Sequence, residues 1–275
     1  MLRPMVKTAV LTGATSGVGW GVARGLLAQG WRVVALGRDV ERLRSMHEGI
    51  DAIGCDVSSL ESVRKAAGQI LELYPHIDTL IGCAGVAPWR RRETPDGVEL
   101  TWATNILGHA LLTELLIPRL KESAPSRILM ISGNAHRRAK LSWDDLQLRD
   151  NYSVMKAGPQ AALAKVLWTF AMARELEGTG VTVNTFCPAF VKSGLLRDFP
   201  GWAMPLVRLA LRFAQTPDEG ARTPLWLATD ESLVDMSGRF CRHRKAQPDA
   251  PGAKVQVDQE RLLGVVRQAI QEPGP

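Results

Sequence analysis

The four cysteines of this 275-residue chain are too scattered to pair or to bind a metal ion together. Cys55, Cys83, Cys187 and Cys241 form no Cys-x-x-Cys pair and show no spacing typical of metal ligands. This pattern argues against a disulfide-stapled secreted domain and against a zinc module. We therefore expect no metal site, and we expect a reduced, cytoplasmic protein.

Long apolar runs and dense basic runs are also missing. No apolar stretch approaches the roughly 20 residues needed to span a bilayer, so we expect no membrane span. The chain runs into a strand-like segment at Thr8, which leaves no room for a signal peptide. The net charge of +6 favours anionic ligands, but the basic clusters Arg90–Arg92 and Arg242–Lys245 are too short to follow a nucleic-acid backbone. A small organic molecule is the expected partner.

Strand-like apolar runs alternate with amphipathic, helix-like stretches along the chain. This alternation predicts an α/β fold with a doubly wound parallel sheet of Rossmann type, flanked by helices on both faces. The length and the 45% hydrophobic content suffice for one domain over residues 1–275. The predicted strands are Thr8–Leu11, Arg32–Leu36, Thr79–Ile81, Arg127–Ile131 and Val181–Phe186; the predicted helices are Val18–Gln29, Leu60–Leu73, Thr101–Lys121 and Gln160–Leu176, with a short strand and a last helix from Gly252 to Pro275.

A glycine-rich loop follows the first predicted strand and opens the first predicted helix; it reads Thr12-Gly13-Ala14-Thr15-Ser16-Gly17-Val18-Gly19. Gly13 permits a tight turn, Gly17 lets the backbone approach a pyrophosphate, and Gly19 lets the helix pack close to the sheet. The helix N-terminus offers free N–H groups and a positive dipole end to phosphates. The loop therefore predicts a dinucleotide site.

The end of the second predicted strand indicates which dinucleotide binds. An NAD site usually has an acidic side chain here for the ribose hydroxyls, whereas this chain has Gly37 followed by Arg38. A guanidinium pairs well with the 2′-phosphate of NADP. We therefore predict NADP(H), while Asp39 one position later leaves NAD open.

The loop, with glycines spaced three and then one residue apart, resembles the short-chain dehydrogenase/reductase superfamily. Later motifs resemble its retinol-dehydrogenase-like branch: Asn105–His109 matches Asn-x-x-Gly-His, and Arg127–His136 matches Arg-Ile-Val-x-Val-Ser-Ser-x-Ala-His. The resemblance covers nearly the whole chain and implies a nicotinamide cofactor. The residues that it places at the cofactor, together with Arg38, are Gly13, Thr15, Ser16, Gly17, Val18, Gly19, Asp56, Val57, Cys83, Ala84, Gly85, Pro188, Ala189, Val191 and Ser193.

The resemblance also shows where this chain departs from the superfamily, whose enzymes reduce ketones with a Ser, a Tyr and a Lys helped by an Asn. In a register without gaps from Ser132 to Leu176, those three positions hold the small residues Gly133, Gly158 and Ala162, and Asn105 alone keeps its identity.

A second Tyr-x-x-x-Lys match lies earlier in the chain, at Tyr152 and Lys156. A proline is unfavourable inside a helix but comfortable at its first position. We therefore expect the helix to begin near Pro159, which leaves Tyr152 in the preceding loop. Lys165 shares a helical stripe with Gly158 and Ala162; it either reaches the space of the missing lysine or lies on the surface.

Three functions remain open. The leading interpretation is an NADPH-dependent oxidoreductase with a non-standard active site, acting on an iminium or an activated alkene, because hydride addition to an iminium needs no proton donor. The first alternative is a non-redox cyclase, lyase or isomerase, or a cofactor-binding pseudoenzyme. The second is an ordinary carbonyl reductase that uses Tyr152 and Lys156.

Two surfaces carry further expectations. Residues 194–215 are expected to form an amphipathic lid with Arg208 and Arg212 on its polar side; a membrane-surface helix is the alternative. The helices Thr101–Lys121 and Gln160–Leu176 resemble those of the superfamily's dimer interface. Small residues there would permit close packing between subunits, so we predict a homodimer or homotetramer; these residues are Ala161, Ala162 and Ala164.

Overall fold

The architecture comes from a computed structural model that describes residues 6–46 and 48–271. In these residues the strands are β1 (Thr8–Thr12), β2 (Arg32–Gly37), β3 (Asp51–Gly54), β4 (Thr79–Gly82), β5 (Ser126–Ile131), β6 (Val181–Cys187), β7 (Arg239–Arg242) and β8 (Lys245–Ala246). They form one sheet in the order β3-β2-β1-β4-β5-β6-β7-β8. The pairs from β3 to β7 are parallel, and β8 runs antiparallel to β7.

Helices cover both faces of this sheet, as predicted. They are α1 (Gly17–Ala28), α2 (Val40–Met46), α3 (Leu60–Leu73), α4 (Leu100–Trp102), α5 (Gly108–Glu122), α6 (Val154–Glu175), α7 (Met204–Arg212), α8 (Pro217–Thr229) and α9 (Gln256–Gln271). One apolar cluster joins the sheet to α3, α5, α6 and α9, and the other joins it to α1 and α8. Burial on both faces explains why the central strands read as continuous apolar runs.

The five strands that were predicted with bounds are all present, and each differs from its prediction by one residue at one end. The helix Leu60–Leu73 has the predicted bounds, and the Ser59 side chain caps its N-terminus by accepting from the Ser62 backbone N–H. The short strand expected after Gly252 is wrong. Pro251–Ala253 forms a 3₁₀ turn instead, because Ala250 and Ala253 turn into the core. Residues 272–275, the end of the predicted last helix, lie outside the described residues.

The start of α6 corrects a second expectation. The helix begins at Val154, so Pro159 lies in its second turn rather than at its start. A proline there removes one hydrogen bond, to the carbonyl of Met155. This loss is tolerable because Met155 lies on the exposed first turn of the helix. Tyr152 still precedes the helix, as predicted, whereas Lys156 lies within its first turn.

The C-terminal helix α9 packs across α5 and α6 of the same chain. Arg267 ties the three helices together through Glu114 at 2.8 Å and Glu175 at 2.6 Å. Ala161 and Ala164 are already buried within this protomer. The expectation that these two alanines pack across a dimer interface is therefore wrong, and the homodimer or homotetramer stays a prediction.

Within the described chain, the helical run Leu100–Glu122 is long and apolar enough to cross a bilayer by length and composition alone. The sequence predicted no apolar stretch close to the roughly 20 residues that span a bilayer, whereas this helical run has 23 residues. However, 72% of its apolar window is buried inside the fold, which is typical of a core helix. The expectation about a signal peptide concerns residues 1–5, which lie outside the described residues.

At Gly108 the helix α5 lies close to the turn after β3. A Cβ at this position would lie 1.9 Å from the Val57 carbonyl oxygen. We expect Gly108→Ala to lower the free energy of unfolding by about 3 kcal/mol, because backbone must move to admit the methyl group. Urea unfolding measures the change.

Gly68 in α3 is the matched control, because a Cβ there meets open space among the described residues. Gly68→Ala should raise the free energy of unfolding by about 1 kcal/mol through helix propensity. Equal behaviour of the two variants would contradict the close contact at Gly108.

Candidate active site

The candidate site lies at the carboxyl ends of β1 and β4, where the order of strands in the sheet reverses. In open α/β sheets, ligands bind in the crevice at such a switch point. The glycine-rich loop 13–19 leaves β1 here, and residues 83–85 leave β4 beside it. The sheet topology therefore brings together two of the predicted cofactor-binding segments.

Three glycines of the loop have no room for a side chain. Gly13 has a φ of +77°, and a Cβ on it would lie 2.7 Å from the Ala84 nitrogen. Gly17 has a φ of +54°, and its Cβ would lie 2.7 Å from that of Ser193. A Cβ on Gly19 would lie 2.3 Å from the Gly13 carbonyl oxygen. The predicted need for glycine holds at all three positions.

The N-terminus of α1 is open to an anion. Within the described chain no side chain caps it, and its first turn contains no acidic residue. Ser16, at the N-cap position, is exposed, and Thr15 is partly exposed. The free N–H groups and the positive end of the helix dipole match the pyrophosphate of a dinucleotide, so the residues of the loop fit the expected cofactor.

The end of β2 presents a cation to solvent. Arg38 is exposed and forms no hydrogen bond or ion pair with the described residues. In contrast, the Asp39 carboxylate accepts from the Arg42 backbone N–H at 2.9 Å, at the start of α2. The Asp56 carboxylate accepts from the backbone N–H and the hydroxyl of Ser58 at 3.0 and 2.7 Å. Arg38 is therefore the group at this strand end that is free to bind a phosphate.

The turn after β4 is tied to β1 through Thr12. The backbone N–H groups of Cys83 and Ala84 both donate to Thr12 Oγ1, each at 3.1 Å. Gly85 follows on the exposed side, where a Cβ would lie 3.4 Å from Asn105 Oδ1. These bonds hold the predicted Cys83-Ala84-Gly85 turn against the glycine-rich loop.

The segment after β6 closes the other side of the loop. Ala189, next to Pro188, has a φ of 67°, a region that favours glycine. Val191 is buried and packs against Gly220 of α8. Ser193 lies against Gly17, as described above. The predicted cofactor residues of this segment thus stand beside the predicted phosphate loop.

The three positions that resemble the superfamily's catalytic residues offer no functional group. A Cβ on Gly133 would lie 3.9 Å from that of Ala162, so these positions are neighbours across β5 and α6. Gly158 lies one turn earlier on α6, and a Cβ built there would meet no described atom within 4 Å apart from its chain neighbours and the adjacent helix backbone. The nearby Ser132 hydroxyl donates to the Ala162 carbonyl at 3.0 Å.

Tyr152 and Lys156 have other surroundings. The Tyr152 hydroxyl donates to the Pro88 carbonyl at 2.7 Å, in the loop that follows β4. Burial raises the pKa of Tyr152, which keeps the phenol protonated. Lys156 is exposed on the first turn of α6. The tyrosine hydroxyl is thus held by backbone, and the lysine that would lower its pKa faces solvent.

Asn105 lies in the π-helical turn Ala103–Leu107 that joins α4 to α5. Its Oδ1 accepts from the Val86 N–H at 2.9 Å, and its Nδ2 donates to the Val86 carbonyl at 3.0 Å. Both ends of the carboxamide therefore position the loop after β4.

Lys165 is 4% exposed, so the interpretation as a surface lysine is wrong. Its Nζ lies 3.3 Å from Nδ1 of His109, and burial lowers the pKa of Lys165 to about 7. His109 Nε2 lies 2.9 Å from Thr12 Oγ1. His109 and Thr12 meet Lys165 here, although sequence reasoning did not predict them at the site. The signals were a polar residue at a buried strand end and a histidine on a mostly apolar helix.

The predicted lid contains two 3₁₀ turns and α7. Phe199 and Trp202 contact Trp89 of the loop after β4, with ring centroids 5.0 and 5.7 Å apart. The expected polar outer face is wrong in part. Leu206 in α7 and Phe213 just after it are 67% and 83% exposed, whereas Val207 is the buried residue of α7.

Known proteins share this fold and much of this sequence. A family model described as short chain dehydrogenase matches residues 7–202. Retinol dehydrogenase 14 of Homo sapiens is 36% identical over 277 residues, which cover 90% of this chain and 82% of the relative. Dehydrogenase/reductase SDR family member 13 of Bos taurus is 39% identical over 269 residues, which cover 93% and 71%.

A solved structure agrees with these matches over nearly the whole chain. The crystal structure of an uncharacterized protein from Mycobacterium paratuberculosis has a TM-score of 0.77 at 27% identity, covering 98% of this chain and 95% of that one. The chain therefore belongs to the short chain dehydrogenase family, in its retinol-dehydrogenase-like branch, and is an oxidoreductase that uses a nicotinamide cofactor.

Proposed function

We propose that this protein is an NADP(H)-dependent oxidoreductase with a non-standard active site, which transfers a hydride to an organic substrate that needs no tyrosine proton donor. The observation that carries the proposal is the loss of every functional group at Gly133, Gly158 and Ala162, beside a complete glycine-rich loop. The cofactor, when bound, supplies the hydride. The side chains of the protein determine whether a proton can be donated to the product of hydride transfer.

The proton balance distinguishes the substrates. Hydride addition to a ketone leaves an alkoxide, which needs an acid at hydrogen-bond distance. Hydride addition to the carbon of an iminium moves the π electron pair onto nitrogen and gives a neutral amine without a proton donor. An iminium is therefore the substrate class that these positions suit best. An activated alkene comes second, because hydride addition to it leaves an enolate that must take a proton from water. Several relatives are named retinol dehydrogenases, but oxidation of an alcohol needs a base that Gly133, Gly158 and Ala162 do not supply.

Arg38 supports NADP over NAD. Its guanidinium is exposed and unpaired within the described chain, whereas the Asp39 carboxylate, the group that would bind ribose hydroxyls, already accepts from the start of α2. A phosphate on the ribose would gain a charge-assisted, bidentate partner.

We expect Arg38→Ala to raise the Kd for NADPH about 10- to 100-fold, the loss that removal of one charge-assisted hydrogen-bond pair produces. The Kd for NADH should change little. Arg42→Ala is the matched control, because Arg42 is another exposed arginine in the same segment. Fluorescence titration of both cofactors measures the effect, and an equal loss for NADPH and NADH would refute the assignment.

Hydride transfer itself is tested by stopped-flow absorbance of NADPH with an iminium, an enone and a ketone. We expect oxidation of NADPH with the iminium or the enone, and a rate in Tyr152→Phe within about twofold of the wild type, because the phenol gives no proton in this scheme. If NADPH is oxidised with none of the three substrates, the proposal is wrong. Loss of activity in Tyr152→Phe would instead assign ordinary carbonyl reduction by Tyr152 and Lys156.

Restoring the missing groups should restore ketone chemistry. We expect the triple variant Gly133→Ser, Gly158→Tyr, Ala162→Lys to reduce ketones about 100-fold faster than the wild type, because general acid catalysis contributes at least that factor. The open space beyond Gly158 leaves room for the phenol. The control is the same triple variant with Phe at position 158. Equal rates for the two triple variants would show that the three positions do not form the reacting site.

A further inference from the structure

Three polar side chains meet in the apolar interior behind the cofactor loop. Thr12 of β1, His109 of α5 and Lys165 of α6 are 0%, 2% and 4% exposed. Thr12 Oγ1 lies 2.9 Å from His109 Nε2, and His109 Nδ1 lies 3.3 Å from Lys165 Nζ. We call this chain of contacts the Thr12–His109–Lys165 relay. The function proposed above does not use it.

Hydrogen-bond capacity fixes the direction of the relay at Thr12. A hydroxyl oxygen has two lone pairs and one proton. Both lone pairs of Thr12 Oγ1 accept from backbone, namely from the N–H groups of Cys83 and Ala84. The Thr12 proton must therefore be donated to His109 Nε2. That nitrogen carries no hydrogen, so the neutral imidazole carries its hydrogen on Nδ1.

The same count determines the state of Lys165. The Nδ1–H of His109 faces Lys165 Nζ, so Nζ must present a lone pair, which only a neutral amine has.

Burial favours the uncharged form of every titratable group in this cluster. It lowers the pKa of Lys165 to about 7 and holds the pKa of His109 well below its usual value. Cys83 is the other titratable group that faces Lys165, and burial raises the pKa of its thiol to about 12. Above neutral pH the relay is therefore without net charge.

If Lys165 were protonated, its ammonium group would lack hydrogen-bond acceptors in this arrangement. The ammonium would have three donors, and His109 is the only hydrogen-bond partner of Lys165 within the described chain. The adjoining cavity, lined mainly by Ile106, Ala110, Met130 and Trp168, measures about 10 Å³, room for one water at most. His109 would accept from the ammonium only by moving its own hydrogen to Nε2.

That shift of the histidine proton reaches the cofactor loop. An Nε2–H would point at Thr12 Oγ1, whose two lone pairs are taken, so the N–H of Cys83 or Ala84 would lose its acceptor. Those two amides hold the turn that leaves no room for a side chain on Gly13, where a Cβ would lie 2.7 Å from the Ala84 nitrogen. The loop would then lose the support that keeps its shape.

We infer that Lys165 is a positioning residue for the cofactor: as a neutral amine it holds His109 and Thr12 so that residues 83–85 support the glycine-rich loop, and its protonation weakens cofactor binding. The inference needs only a dinucleotide at this loop. It goes beyond the proposed function, since it holds for either nicotinamide cofactor and any substrate.

The protonation change predicts how stability depends on pH. In the unfolded chain Lys165 keeps its proton up to the ordinary lysine pKa of 10.5, whereas the folded chain releases it near pH 7. The unfolded state then binds more protons than the folded state above pH 7, so this lysine makes stability rise with pH. The rise begins near pH 7, because below that value both states carry the proton.

Urea unfolding without cofactor, between pH 6 and 8.5, tests this point. Relative to Lys165→Met, the wild type should gain up to tenfold in its folding equilibrium constant per pH unit above pH 7, and little below it. Lys121→Met, at an exposed lysine of α5, should run parallel to the wild type. An offset between wild type and Lys165→Met that is constant with pH would overturn the neutral amine.

Cofactor titration tests the link to binding. The Kd of the wild type for both NADPH and NADH should rise several-fold as the pH falls from 8 to 6, and Lys165→Met should lack this rise. Lys121→Met is the control, because titration of the cofactor phosphates changes its Kd as it changes that of the wild type. A rise of equal size in Lys165→Met would overturn the inference, whereas failure of the NADP proposal would appear only in the difference between the two cofactors.

A measurement on the unaltered protein covers the case in which Lys165→Met does not fold. The ¹⁵N resonances of His109, assigned by comparison with His109→Gln, should show a hydrogen on Nδ1 and none on Nε2 at pH 8. A hydrogen on Nε2 at that pH would contradict the direction of the relay.

Discussion

The close contact between the ends of β1 and β4 is the constraint on which the rest of the site depends. Thr12 Oγ1 accepts two backbone N–H groups from the turn after β4, and Gly13 leaves no space for a Cβ against that turn. Parallel strands that diverge at a switch point leave a crevice there, and these contacts set its floor. The phosphate loop and the start of α1 both take their position from it.

The site separates two kinds of chemistry that family membership usually joins. Hydride transfer depends on where the cofactor lies, and the glycine-rich loop with the open N-terminus of α1 provides that. Proton transfer depends on side chains at the reacting atoms, and in the proposed function these positions are Gly133, Gly158 and Ala162, which have no proton donor. A chain can therefore keep the family's cofactor site and still transfer a hydride without a proton donor, provided that its substrate needs no acid.

Burial changes the charge and the contacts of a polar residue, as the lysine in the core shows. A lysine on a helix usually lies at the surface, because burial of its charge is unfavourable. Lys165 instead meets His109 from a neighbouring helix and loses its charge there. The cofactor loop, although about 150 residues away in sequence from Lys165, depends on the same hydrogen bonds through Thr12.

The sequence alone determined the features that short-range patterns encode. Apolar periodicity located five strands to within one residue, and the spacing of Gly13, Gly17 and Gly19 located the phosphate loop, because side-chain burial and positive φ act within a few residues. Tertiary structure alone decided the start of α6, the burial of Ala161 and Ala164, and the burial of Lys165. Each of these depends on contacts between segments that are distant in the chain. A local sequence pattern does not show which distant segments will pack together.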